Sequence, residues 1–273
     1  MHSASAKEAL PKSLPTSPIE QSSLKILSKE QRTLLLKAFK NYFGNDHAQS
    51  STTTKLEVKS GVLSFQAVVN HKILIESANR YRSEIEFVSN DGASSRKYLV
   101  VSDGRILWVH RPDAKKFAIL PQQEFGKNPL AFLNVDLLTT VFLMRPPNVQ
   151  ALLEENKLED NAQIAKTLTE TGLEFAGNEI DAQGNTLVVY KTSGANLPQA
   201  KAYNFEARLL IDPNTATLKQ IYFSGEQKGV QVKMSEIILE RSAPTTFEPK
   251  TFSFYPPIGT KRVPKLSAIP WGD

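Results

Sequence analysis

Long stretches of this sequence alternate apolar and polar residues with a period of two, which constrains the chain to sheet more than any other feature. Tyr203, Phe205, Ala207, Leu209 and Ile211 form one row, with Asn204, Glu206 and Arg208 between them. Successive side chains of an extended chain point to opposite faces, so such a row is one buried side of a strand. Leu63, Phe65, Ala67 and Val69 repeat the pattern. So do Tyr81, Ser83, Ile85 and Phe87, with Arg82, Glu84 and Glu86 facing the other way. Asp91-Gly92 and Asp103-Gly104 supply turn dipeptides, since Gly accepts the positive φ of a tight hairpin.

Two places escape the alternation. Ser28 with Gln31 forms a capping box, and Leu35, Phe39, Tyr42 and Phe43 then recur at helical spacing before Gly44, a natural stop. The spacing predicts a helix over Lys29 to Phe43. Leu130 to Met144 is apolar without alternation and ends at Arg145-Pro146-Pro147, with another short helix expected over Val149 to Asn156. A helical insert therefore separates two runs of strands. In the first run, a polar loop is expected over Asn45 to Thr53, and a turn at Asn70-His71 before a short strand from Ile73 to Glu76. Tyr98 to Val101, Ile106 to His110 and Lys116 to Leu120 complete the meander.

In the second run, Leu173 to Ile180 pairs with Thr186 to Lys191, and Asp212-Pro213-Asn214 turns the chain into Leu218 to Ser224. Val230, Val232, Met234 and Ile238 mark another strand, and Phe252 with Phe254 a last one. Residues 1–27, with Pro11, Pro15 and Pro18, read as a flexible tail, residues 28–263 as one domain and residues 264–273 as a C-terminal tail.

Composition narrows the chemistry. A 40% hydrophobic content over 273 residues supports a real core. The absence of Cys excludes disulfides, thiolate metal sites and a thiol nucleophile. The four His are scattered, and no Gly-x-Ser-x-Gly elbow occurs. Glu84 and Glu86 share a strand face at a glycosidase-like separation, but alternate charges ordinarily mark the wet side of a strand. Gly225 and Gly229 lack the Lys-Ser/Thr of a phosphate loop and read as a turn. These absences point to a non-enzyme without metal or cofactor. The net charge of +5 is uneven: Ser95 to Lys127 holds seven basic and three acidic residues, Glu154 to Asp181 two and eight. No basic run is interleaved with aromatics as a nucleic-acid module requires. No stretch is apolar enough to span a bilayer, and Met1 to Leu10 has no signal-peptide core.

Three segments carry a resemblance. Ser102-Asp103-Gly104-Arg105-Ile106-Leu107-Trp108 is similar to a hairpin of the outer-membrane lipoprotein carrier (LolA-type) family. Ile211-Asp212-Pro213-Asn214-Thr215 is a second match. Phe252-Ser253-Phe254-Tyr255-Pro256-Pro257-Ile258-Gly259 resembles the family's closing segment. Their order, with the insert between them, covers residues 29–263. The resemblance implies an α+β, mostly antiparallel fold: a strongly curved, half-open β-barrel with helices plugging its concave face. It also implies a monomer in the periplasm, its signal peptide removed, exchanging an acylated lipoprotein or lipid with membrane-associated donor and acceptor proteins.

Apolar residues on both faces of several strands fit such a cup, since a sheet covered on one side needs only one apolar face. Leu107 and Val109 oppose Ile106 and Trp108, and Ile221 and Phe223 oppose Leu218 and Tyr222. The expected cavity lining is Ile85, Phe87, Leu99, Val101 and Trp108 from the first run, with Leu133, Leu137 and Phe142 from the insert. Phe205, Leu209, Ile211, Tyr222 and Met234 complete it from the second run. The family has an Arg-Pro dipeptide where this chain reads Asn79-Arg80-Tyr81-Arg82, so Arg82 or Arg80 is the expected lid latch. Three functions remain open: a carrier, a lipoprotein-responsive sensor or interaction module on the same fold, and, with least support, a periplasmic hydrolase.

Overall fold

Ser28 opens the first element in the way its spacing with Gln31 predicts. The computed structural model describes residues 27–45, 47–77, 79–88, 95–123, 136, 172–194, 204–227, 229–265 and 269. The Gln31 amide donates to Ser28 Oγ at 3.2 Å, and the Ser28 amide donates to Gln31 Oε1 at 2.9 Å. Helix α1 spans Lys29–Phe43. Gly44 ends it, but without the left-handed turn common at such glycines: its φ is −77°. A Cβ there would lie 2.5 Å from the Lys40 carbonyl oxygen, so close approach is what demands glycine.

The first strands are β1 (Ala48–Ser60), β2 (Leu63–Ser77) and β3 (Arg80–Val88), followed by β4 (Ser95–Asp103), β5 (Ile106–Arg111) and β6 (Lys116–Pro121). The second run comprises β7 (Glu174–Ile180), β8 (Thr186–Ser193), β9 (Asn204–Asp212), β10 (Thr217–Gln227) and β11 (Val230–Ser242). A short β12 (Lys261–Val263) follows. All lie in one sheet of order β12-β6-β5-β4-β3-β2-β1-β11-β10-β9-β8-β7. Neighbours are antiparallel except β12, which runs parallel to β6. The edge strands β12 and β7 do not pair with each other, and the sheet is curved and unclosed with α1 on one face. This is the half-open architecture expected from the sequence.

Several local expectations are corrected. The polar loop over Asn45 to Thr53 is instead largely strand, because β1 begins at Ala48. Ser50, Thr52 and Thr54 bury small side chains on one face, a role that β-branched and small hydroxyl residues fill well. No turn occurs at Asn70-His71: β2 runs unbroken through both, with His71 buried opposite Thr52 and Asn70 accepting from Thr53 Oγ1. Gly225 lies within β10 and only Gly229 in the turn. Phe252 and Phe254 are not in a strand; the last strand among the described residues is β12. The insert helices expected over Leu130 to Met144 and Val149 to Asn156, and the Asp91-Gly92 turn, lie outside the described residues apart from Asp136, which is fully buried.

The two larger core clusters occupy the helix-bearing face, and a small third one, Leu187, Val189 and Leu210, lies on the opposite face. One gathers Leu35, Leu36, Ala38 and Tyr42 of α1 against Tyr190, Ile211, Leu218, Ile221 and Ile238. The other runs across β1 to β6 through Val69, Ile73, Tyr81, Ile85, Val100 and Val109. Phe43 packs against both, so α1 sits over the middle of the sheet. Tyr190 Oη donates to the Gln31 carbonyl at 2.7 Å, and its burial pushes its phenol up to about 12. Leu27 and Ile269, from segments read as tails, are both core residues.

Candidate functional site

Cross-strand register builds an apolar floor on the helix-bearing face. One row crosses five strands as Phe65, Val58, Val232, Gly225 and Phe205. The next, one pleat repeat closer to α1, is Ala67, Leu56, Met234, Phe223 and Ala207. At about 4.8 Å per strand the floor is roughly 19 Å wide. Leu56, Ala67 and Met234 are buried, whereas Phe65 is 52% exposed and Val58, Val232, Phe205 and Phe223 are half-buried. The Phe205 and Phe223 rings stack with centroids 6.1 Å apart and planes at 19°. Gly225 permits this pair, because a Cβ there would meet the Phe223 ring at 3.2 Å and Phe205 Cβ at 3.3 Å. The third row, Val69, Thr54, Glu236, Ile221 and Leu209, ends the purely apolar surface. In it Thr54 Oγ1 donates to the buried Glu236 carboxylate at 3.1 Å.

The residues expected to line one cavity are divided between the two faces. Phe205 and Met234 belong to the floor, and Leu209 and Ile211 lie beside it in the α1 core. Ile85 and Phe87 share that face farther along the sheet. Leu99, Val101, Trp108 and Tyr222 point the other way: Val101 pairs with Trp108 and Leu99 with His110, while Leu107 and Val109 take the helix-bearing side. The physical reason is the strand period, which sends odd and even neighbours to opposite faces however apolar both are. Leu133, Leu137 and Phe142 lie outside the described residues. The floor residues not singled out as lining are Leu56, Val58, Phe65, Ala67, Ala207, Phe223, Gly225 and Val232. The alternation of Phe65 and Ala67, and of Val232 with Met234, is legible in the sequence, but that of Leu56 and Val58 is not read there, and only strand order brings them together.

Neither latch candidate faces α1. Arg82 pairs with Glu84 along its own strand at 3.3 Å. Arg80 pairs with Glu76 at 2.6 Å and lies 5.2 Å over the Phe252 ring. Arg80 therefore clamps the segment after β11 onto the opposite face. Phe254 of that segment packs on Trp108, His110 and Phe117, at 6.4, 5.3 and 5.7 Å between centroids. The rest of the opposite face holds a small buried cluster of Leu187, Val189 and Leu210 and two open grooves of about 540 and 580 Å³, whose linings combine charged side chains such as Lys55, Arg208, Lys72 and Glu84 with a larger share of apolar surface. Among the described residues no group of three or more His, Asp or Glu could hold a metal, and no helix is long and apolar enough to cross a membrane.

Burial under Phe254 holds the His110 imidazole below the usual histidine range, with Asp113 pulling weakly the other way. A histidine depressed in the folded state binds its proton more readily when unfolded. Its stabilising contribution is complete above the ordinary pKa of about 6.5 and is lost as pH falls through the lower folded value. In a Trp271→Phe background, Trp108 emission is expected to change on acidification below about pH 6.5 as Phe254 loosens. His110→Asn should remove that transition; a transition that persists would place the titrating group elsewhere.

Comparison with solved structures finds similarities at low sequence identity and low TM-score. The similar structures include LprF from Mycobacterium bovis, at 14% identity and TM-score 0.43, covering 83% of this chain and 99% of that one. A LolA superfamily protein from Nitrosomonas europaea is 10% identical at TM-score 0.32, covering 81% and 96%. A conserved protein from Thermus thermophilus is 11% identical at TM-score 0.40, covering 85% and 98%. No family model matches the chain, and no curated protein matches it.

Proposed function

We propose that this protein binds the acyl chain of a lipid or lipoprotein on the helix-bearing face and carries it through the periplasm. The observation that supports this most is the floor: two adjacent five-strand rows with no charged residue and with aromatic rings left half-open. A sheet that needed only a core would cover those rings. An acyl chain of about 14 carbons laid on the floor gains on the order of 11 kcal/mol gross, at ~0.8 kcal/mol per CH₂. Ordering the ligand and displacing whatever covers the floor reduce this to a reversible affinity, which a carrier needs.

Native mass spectrometry of protein purified without detergent is the test. Adducts with the masses of acyl lipids, displaced by a fluorescent fatty acid, are the expected result. A chain that carries no lipid and leaves the fluorescent probe unbound would sink the proposal.

A further inference from the structure

Beyond the Phe254 clamp the chain makes an exposed turn before β12. Tyr255 and Ile258 are 76% and 106% exposed, and Pro256 and Pro257 between them are exposed as well. The turn is held in place: the Thr260 amide donates to the Pro257 carbonyl at 3.0 Å and the Lys261 amide to the Lys115 carbonyl at 2.9 Å. Gly259 closes it with φ of +82°, and the two prolines stiffen it, so the apolar tip is pre-organised. Neither open groove of the opposite face is lined by Tyr255 or Ile258, so this tip projects and offers no slot.

Cations surround the tip. Segments 111–116 and 255–265, joined by the pairing of β12 with β6, hold Arg111, Lys115, Lys116, Lys261, Arg262 and Lys265 against one acid, Asp113. Arg111 takes up that acid at 2.9 Å. Of the five cations left, all but the half-buried Lys116 are exposed. The neighbouring sheet does not reverse the sign. From Arg262 the register runs through Phe117, His110 and Leu99 before it meets an acid, Glu84 on β3. That is four strand spacings, about 19 Å along the sheet. There Glu84 pairs with Arg82 and Glu86 with Lys97. Asp103 lies at the far end of β5, and Glu248 follows Phe247, which packs on His47 at that same far end of the strands. An apolar projection ringed by cations has the division of charge and hydropathy of an element that lies in a membrane interface.

We infer that this turn, with the β5–β6 turn and β12, docks the protein on an anionic bilayer surface. Ile258 enters the acyl boundary, Tyr255 seats its ring at headgroup level, and the five cations meet lipid phosphates. A deformable surface accepts such a projection without a matching pocket. Seating through cations makes docking weaken as ionic strength rises. The surface uses no residue of the apolar floor, so it goes beyond the acyl-binding reading and does not depend on it.

With no cysteine in the chain, Ile258→Cys gives a single site for an environment-sensitive dye. Vesicles of phosphatidylethanolamine and phosphatidylglycerol should move its emission to the blue and raise it severalfold. The same dye at Ile180→Cys, exposed at the end of edge strand β7, should not respond. The pair Tyr255→Asp and Ile258→Asp should abolish flotation with these vesicles. Lys261→Gln, Arg262→Gln and Lys265→Gln together should weaken vesicle affinity at least tenfold. Lys55→Gln, Lys59→Gln and Lys233→Gln remove the same charge from exposed positions elsewhere and should weaken it less than threefold. Every altered side chain is exposed, and a thermal melt of each variant checks that it folds. Equal losses in the two triples would overturn the docking surface, by reducing it to an effect of overall charge. Equal dye responses at 258 and 180, or flotation that survives the Asp pair, would overturn it too. Wild-type protein that ignores the vesicles but is retained on immobilised polyglutamate through the same three cations would replace the bilayer with an acidic protein partner. Protein that floats through this turn yet binds no fatty acid would uphold the docking surface and refute the acyl-binding reading.

Discussion

Leu35→Ala is expected to destabilise the fold by about 3 kcal/mol, within the 2–5 kcal/mol range for deleting a buried leucine side chain. Leu35 is fully buried in the cluster that joins α1 to β8, β9, β10 and β11. Around it lie Tyr190, Ile211, Leu218 and Ile221, all deeply buried and anchored in the sheet, so the cavity cannot collapse easily. Hydrogen bonds also fasten α1 to the sheet side: Asn41 Nδ2 donates to the Ala216 carbonyl at 3.0 Å, Arg241 to the Tyr42 carbonyl at 2.6 Å, and Tyr190 to Gln31. Chemical denaturation reads the loss as a lower midpoint at constant slope. A cost below about 1 kcal/mol would mean that α1 is only lightly docked, since a well-packed site pays both transfer and cavity terms. The conservative Leu35→Met should recover most of the stability, because volume-conserving swaps usually cost less than about 1.5 kcal/mol.

How far the sequence reveals this arrangement depends on the range of the interaction that decides each part. Ser28, Gln31 and Gly44 bound α1 at the residues expected, because capping is settled within four positions of the chain. Asp103-Gly104 makes its hairpin for the same reason: Asp103 Oδ1 accepts from the amides of Arg105 and Ile106, and Gly104 takes φ of 99°. The β1 strand was hidden because Gln49 to Thr54 carries no apolar signal, although its hydroxyls alternate between buried and open. His71 looked like a turn because a polar residue in mid-strand is unusual, and only the buried polar company of Thr52 explains it.

The site was harder to read than the fold. Which face of a strand is inward follows from tertiary packing when both faces are apolar. Trp108 and Val109 are adjacent and equally apolar, yet Val109 meets the core and Trp108 meets Phe254. The floor in turn needs the pairing of β1 with β11, residues about 180 positions apart, such as Val58 with Val232. No local pattern encodes that join. What the sequence does supply is the surplus itself: apolar residues on both sides of the same strands, which require a helix, a clamp segment or a ligand. The structure assigns the helix to one part, Phe252 and Phe254 to another, and leaves Phe65, Phe205 and Phe223 half-open.

Phe223→Asp is expected to weaken acyl binding by at least a hundredfold. Phe223 sits in the second floor row between Met234 and Ala207, with its ring against Phe205, so a carboxylate there would lie beneath the ligand. Covering it with an acyl chain strips its water without offering a partner, and desolvating an unpaired charge costs several kcal/mol even after relaxation. A hundredfold loss corresponds to about 2.7 kcal/mol, at the low end of that penalty. Stability should change far less than affinity, because Phe223 is half-open in the unliganded chain and its carboxylate can reach water there. Titration of a fluorescent fatty acid, with a denaturation curve for each variant, separates the two effects. Gly225→Ala supplies an independent check on the same floor. Its new methyl would press on the Phe223 ring at 3.2 Å and on Phe205 Cβ at 3.3 Å, so it should shift affinity by a smaller factor without introducing charge. If Phe223→Asp binds the probe as wild type does, the acyl chain rests on some other surface and the floor is only an exposed edge of the core.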